Sequence, residues 1–121
     1  MKLHPVTRII ILAMAFVQKG WCKHSMAKRE NDSNTYPADK EATQFCLIGA
    51  IKRATYDLCL DTRDEYNARM IIKAHMPKNH WDIAKWNDTV AKKSDVVKLL
   101  KRCAIASVTK ERYATKEANN G

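Results

Sequence analysis

PVTRIIILAMAFVQK, residues 5–19, is the stretch on which the fold turns. Val6, Ile9, Ile10, Ala13, Phe16 and Val17 recur at the three- and four-residue spacing of a helix face. Ile11, Leu12 and Met14 carry the apolar surface around most of the other sides, which predicts a first helix central in the packing. Pro5 suits the first helical turn, where its missing N–H is harmless, and Gly20 suits the stop. Lys2 and Arg8, with the apolar run Ile9–Val17, resemble the start of a secretory leader. However, Gln18-Lys19-Gly20-Trp21 is a poor cleavage site, and the run is too short to span a bilayer. The reading is a buried helix in a cytoplasmic protein with no membrane partner.

The rest of the chain continues in helical terms. Trp21–Lys28 reads as a short second helix, and the turn formers between Arg29 and Asp39 as a polar loop. Asp39 is placed to cap a helix from Lys40 to about Tyr56, with Ala42, Phe45, Cys46, Gly49, Ala50 and Ile51 as its apolar residues. Gly49 inside a helix costs about 1 kcal/mol against Ala, which predicts that another backbone comes close there. Thr62-Arg63-Asp64-Glu65 matches a capping box for a helix to His75, with Tyr66, Met70, Ile71 and Ala74 as its stripe and Pro77 beyond its end. Asn79 is placed to cap a short helix through Trp86 that buries Trp81, Ile83 or Ala84, followed by a loop over residues 87–93. Ser94 then caps a helix to Val108 whose apolar face is Val96, Val97, Leu99, Leu100, Cys103 and Ala104. Residues 109–121 read as a frayed polar tail on a core spanning 5–108. The expected fold is all-α: one domain over 1–121, a bundle of about five helices, monomer or weak dimer.

Composition supports this. The 121 residues, 45% hydrophobic, suit one globular core, and 3 Gly with 3 Pro leave little turn chemistry for a many-stranded β fold. Four cysteines at 22, 46, 59 and 103, without a C-x-x-C pair, are too sparse for a disulfide scaffold and point to reduced thiols. The net charge of +9 is uneven: residues 69–121 hold 12 Lys and Arg against 5 Asp and Glu. That asymmetry admits an acidic partner, including weak non-specific nucleic acid. Its candidates are Lys92, Lys93, Lys98, Lys101 and Arg102, with Lys110, Arg112 and Lys116 beyond. No aromatic residue interleaves with them before Tyr113, so a base-stacking platform is not indicated, and a solvated helix face is their default reading.

Two Trp tripeptides carry what chemistry there is: Gly20-Trp21-Cys22 and Trp86-Asn87-Asp88. Cys22 has Lys19, Lys23 and His24 nearby, an electropositive setting that can activate a thiol. A base for it has to come from His75, His80 or Asp88, with Asn87 or Asp88 as orienter. Cys46 is a second thiol candidate, and Trp21, Trp86 and Asn87 are candidates for a ligand pocket. The bland reading makes Cys22 and Trp86 core residues and Asn87-Asp88 a helix stop and turn. Cys22, His24, Cys46 and His75 or His80 fit no zinc spacing, so neither metal nor other cofactor is expected.

These blocks, in order with Cys46-Leu47-Ile48-Gly49-Ala50 and Ser94–Arg102, resemble a family of small bacterial and phage proteins of unknown function. The family's usual Gly two residues after the first Cys is His24 in this chain. The resemblance implies a phage or prophage setting and carries no assigned activity. The reading is a non-enzymatic interaction protein acting on a host or phage macromolecule through its basic C-terminal half. The alternatives are a cysteine enzyme or small-ligand binder around Cys22, Cys46 and Asp88, and a nucleic-acid accessory protein.

Overall fold

The computed structural model describes residues 3–89 and 91–120, with side chains through Arg112. Lys2, Gly121 and the side chains of Tyr113 and Lys116 lie outside the described residues. Chain order is α1 (Pro5–Lys19), β1 (Ala27–Arg29), β2 (Asn34–Thr35), β3 (Ala42–Phe45), α2 (Leu47–Asp57), α3 (Thr62–His75), α4 (Ile83–Thr89) and α5 (Lys93–Asn120).

The imidazole of His4 caps α1 by accepting the Val6 N–H at 3.2 Å, with Pro5 at the first helical position. Val6, Ile9, Ile10, Ala13 and Val17 are buried as their spacing predicts. The helix packs against α2, α3, α5 and β3, so it is the central element. Across from it, α5 contributes Val96, Leu99, Leu100, Cys103 and Ala104 to the same core. Glu111 of α5 accepts from the His4 backbone N–H and the Thr7 hydroxyl, both at 2.9 Å, tying the two helices together. Among the described residues, no helix is long and apolar enough to cross a membrane.

The fold is mostly helical, yet not all-α. β1, β2 and β3 form a three-stranded antiparallel sheet in the order β2-β1-β3. The helix expected over Trp21–Lys28 does not form, because Trp21 bridges to Phe45, residues 23–26 bend, and Ala27 and Lys28 pair as strand. Cys22 N–H donates to the Phe45 carbonyl at 3.2 Å, Phe45 N–H to the Gly20 carbonyl at 3.0 Å, and β1 follows. Nor does Asp39 start a helix. Its carboxylate accepts from Arg29 Nε (2.8 Å), Thr35 and the Glu41 N–H, pinning the sheet loop. Those bonds hold Asp39 at a pKa of about 2, with the Thr35 hydroxyl the largest cause. Arg53 of α2 clasps the same loop through the Pro37 and Asp39 carbonyls, over the faces of Phe16 and Phe45. Ala42–Phe45 could continue a helix by composition, and pairing with β1 makes it a strand instead.

Cys46 is therefore the N-cap of α2, its sulfur accepting the Gly49 N–H at 3.3 Å, rather than a residue inside the helix. The close approach expected at Gly49 is present: a Cβ there would lie 1.8 Å from the Met26 carbonyl oxygen. Gly20 ends α1 with extended backbone, φ −168°. What demands glycine at that position is the Thr43 carbonyl, 2.1 Å from where a Cβ would stand.

Three further expectations are corrected. Asp61, not Thr62, caps α3, and the buried residues of that helix are Ala68 and Ile72. Tyr66 and Met70 face outward, so α3 is apolar on two sides. The helix containing Trp86 starts at Ile83 behind Asp82 and runs through Asn87 and Asp88 to Thr89, where a loop was expected. Ile83 and Trp86 are buried on it, while Trp81 before it is 76% exposed. Finally, α5 begins at Lys93, with Asp95 accepting the Lys92 N–H, and its backbone stays helical to Asn120 where a frayed tail from 109 was expected.

Candidate functional site

The two Trp tripeptides meet, and Asn87 is the residue that joins them. Its side chain is fully buried on α4. The amide oxygen accepts from Trp21 Nε1 at 2.8 Å and from the Leu47 N–H at 3.1 Å. The amide nitrogen donates to the Cys22 carbonyl at 3.2 Å and to Asp88 Oδ1 at 2.9 Å. One side chain thus uses two acceptor and two donor positions, a set that only a carboxamide provides. The amide links the end of the α1 segment, the first turn of α2, and α4.

Asp88 extends the cluster outward. Its Oδ1 also accepts the His24 N–H at 2.9 Å, and Oδ2 lies 3.7 Å from His24 Nδ1. His24 adopts φ 65°, the left-handed region that favours glycine. Here the Asp88 bond offsets part of the cost of a β-carbon in that conformation.

The thiols in this cluster are buried and protonated. Cys22 Sγ donates to the Ser25 carbonyl at 3.4 Å. Burial, reinforced by neighbouring Cys46, raises its pKa to about 11. Burial also pushes Cys46 up, against the bonds its sulfur accepts at the start of α2. Neither candidate imidazole is a hydrogen-bond partner of Cys22. The His75 ring bonds the Ile71 carbonyl at 2.8 Å, and His80 lines a groove beside α5. A nucleophilic thiol needs the opposite setting, a lowered pKa and a base in reach. Among the described residues, no three His, Cys, Asp or Glu side chains converge as a metal site.

The open surfaces lie elsewhere. One, a groove of about 560 Å³, runs along α5 and is lined by Lys98, Lys101, Arg102, Ile105, His80 and Trp86, with Asp95 also in the lining. Lys98, Lys101 and Arg102 are exposed, and none takes part in an ion pair among the described residues. Asp95, the only carboxylate in the lining among the described residues, accepts the Lys92 N–H at 2.9 Å. Lys92 and Lys93 are exposed at the start of α5, outside that lining.

The sequence therefore marked both regions without deciding their character. Trp21, Cys22, Cys46, Asn87 and Asp88 converge in a closed, hydrogen-bonded core rather than an open pocket. Trp86 contributes to the core while its edge reaches the α5 groove. Trp81, expected among the buried residues of the short helix, is instead exposed, because it precedes α4 and does not lie on it. The signal available was the Pro77 to Asp82 run of turn-forming and polar residues around it.

Residues 1–106 match a family model described as a family of unknown function (DUF6197). No curated protein matches the chain, and no solved structure matches it.

Proposed function

We propose that this chain, which belongs to that family of unknown function, is a non-enzymatic binding protein that engages an acidic macromolecule through the α5 groove. One observation carries the reading. Among the described residues, Lys98, Lys101 and Arg102 line a single open groove without ion-pair partners, against one carboxylate, Asp95, which accepts the Lys92 N–H. Three unneutralised cations on a rigid helix form a ready counter-surface for carboxylates or phosphates. The resemblance to small phage and bacterial proteins makes a host or phage macromolecule the natural partner. Burial and protonation of Cys22 and Cys46 favour binding over cysteine catalysis.

The test is titration of the full chain with fluorescein-labelled poly-glutamate and a random 20-base-pair duplex at two salt concentrations. The expected result is salt-sensitive binding to at least one polyanion, weakened about tenfold or more by the double substitution Lys98→Glu, Arg102→Glu. Binding that is absent, or indifferent to that double substitution, ends the proposal.

A further inference from the structure

The α5 groove does not stand alone. A second groove of about 310 Å³ lies between α3 and the segment before α4, lined by Tyr66, Arg69, Met70, Lys73 and Trp81, with Ile48 and Ile83 in its wall. A third groove, about 290 Å³, connects the two. It shares Trp81 and Asp82 with the second, and His80 and Trp86 with the first. The three form one belt around α4.

Three properties of the belt define what covers it. First, its large side chains stand open to solvent: Trp81 is 76% exposed, Ile105 57%, Tyr66 54% and Met70 44%. Single exposed apolar residues are ordinary, but an aromatic pair with Met and Arg in one cleft is the composition of protein interface cores. Second, the charge left over is positive. Among its described residues the belt has two carboxylates against five cations outside ion pairs, each carboxylate accepting one backbone N–H, Asp82 from Lys85 at 3.1 Å and Asp95 from Lys92 at 2.9 Å. Lys73, Lys85, Lys98, Lys101 and Arg102 enter no ion pair among the described residues. Third, the wall between Tyr66 and Trp81 is aliphatic and thioether, from Ile48, Met70 and Ile83. That lining suits a bulky apolar side chain, and Met adapts to its shape. A flat base would instead need stacked planar faces along a backbone track.

We propose that the Tyr66–Trp81 cleft seats an apolar side chain of an acidic protein segment, which continues across α4 onto the Lys98–Arg102 groove. The anchor extends the acid-binding reading of α5 and rests on it. Trp81 supplies the contact area, and the surrounding cations select acidic residues flanking the anchor.

A displayed library of random 12-residue peptides, panned on the full chain, tests this. Survivors are expected to carry an aromatic or large aliphatic residue within a few positions of two or more Asp or Glu. The tightest peptide should shield Trp81 from acrylamide quenching, with Trp81→Phe identifying its share of the emission. Trp81→Ala should weaken that peptide about thirtyfold, the scale of a hot-spot truncation. Trp81 lies outside the core, so the variant's thermal melt should match the parent's, and Met70→Glu gives an independent block of the cleft. If Lys98→Glu, Arg102→Glu weakens binding while Trp81→Ala and Met70→Glu do not, the α5 reading stands and the anchor is overturned. If the reverse holds, the shared footprint is overturned. Enrichment without acidic residues, protection of Trp81 by a 15-nucleotide oligo-dT but not by peptides, or a self-association abolished by Trp81→Ala each overturns the proposal.

Discussion

Replacing Asn87 with Ala should be among the most damaging single changes outside the aliphatic core. The substitution strands four groups. Two of them, the Leu47 N–H and the Cys22 carbonyl, form buried hydrogen bonds. Trp21 Nε1 is half-buried and Asp88 keeps its bond from His24, so these lose less. A buried polar group left without a partner costs about 1–3 kcal/mol. Two such groups give roughly 2–6 kcal/mol, and a water entering the vacated space draws the figure toward about 3–4 kcal/mol. Against a typical total of about 5–15 kcal/mol that is a large fraction. With a urea slope of about 2 kcal/mol/M, the unfolding midpoint followed by circular dichroism should fall by roughly 1.5–2 M. Asn87→Asp sharpens the test. It keeps the acceptor for Trp21 and Leu47 but loses the donor to Cys22 and places a second carboxylate beside Asp88. The new carboxyl is expected to have a raised pKa in the folded state. Its penalty should be small at pH 4, where it is protonated, and grow as pH rises above the unfolded value of about 3.9. An Ala penalty below about 1 kcal/mol, or an Asp penalty flat from pH 4 to 7, would refute the role assigned to this amide.

Gly49→Ala, a change that stabilises most helices by about 1 kcal/mol, should destabilise this one, because the new Cβ meets the Met26 carbonyl at 1.8 Å; a raised melting temperature would contradict the packing. Thiol labelling of the native chain at pH 8 should modify Cys59 quickly and leave Cys22, Cys46 and Cys103 slow until denaturant is added. Burial holds Cys22 and Cys103 at about 11, so fast native labelling of Cys22 would count against a closed cluster. The Asp39 carboxylate is held at about 2 against an ordinary 3.8. Its folded pKa is lowered, so its contribution is present above about pH 4 and lost as pH falls toward 2. The gap in urea midpoint between the parent and Asp39→Asn should close over that window, and a gap independent of pH would show that Asp39 does not carry the loop.

Sequence alone determined the parts that depend on local pattern. The period of Val6, Ile9, Ile10, Ala13 and Val17 located α1 and its buried face, and that of Val96, Leu99, Leu100 and Cys103 did the same for α5. Gly49 announced a backbone neighbour without saying which one. The order of the Gly-Trp-Cys, Cys-x-x-Gly-Ala and Trp-Asn-Asp blocks marked residues that belong together, since Trp21, Cys22, Leu47 and Asp88 all bond to Asn87.

Tertiary structure decided the rest, because its causes lie far apart in the chain. Ala42–Phe45 is a strand only because β1 is beside it, and no local signal in Ala-Thr-Gln-Phe separates that outcome from a helix. Whether Cys22 is a nucleophile or a core thiol depends on what covers it, and the covering residues come from positions 45–46 and 87–88. A helix apolar on two sides, such as α3, does not state which side turns inward. Packing of Ala68 and Ile72 against α1, α2 and α5 left Tyr66 and Met70 beside Trp81 at the surface. Periodicity fixes which residues share a face. Only the competition among all faces for one limited core fixes which of them stays exposed to bind something else.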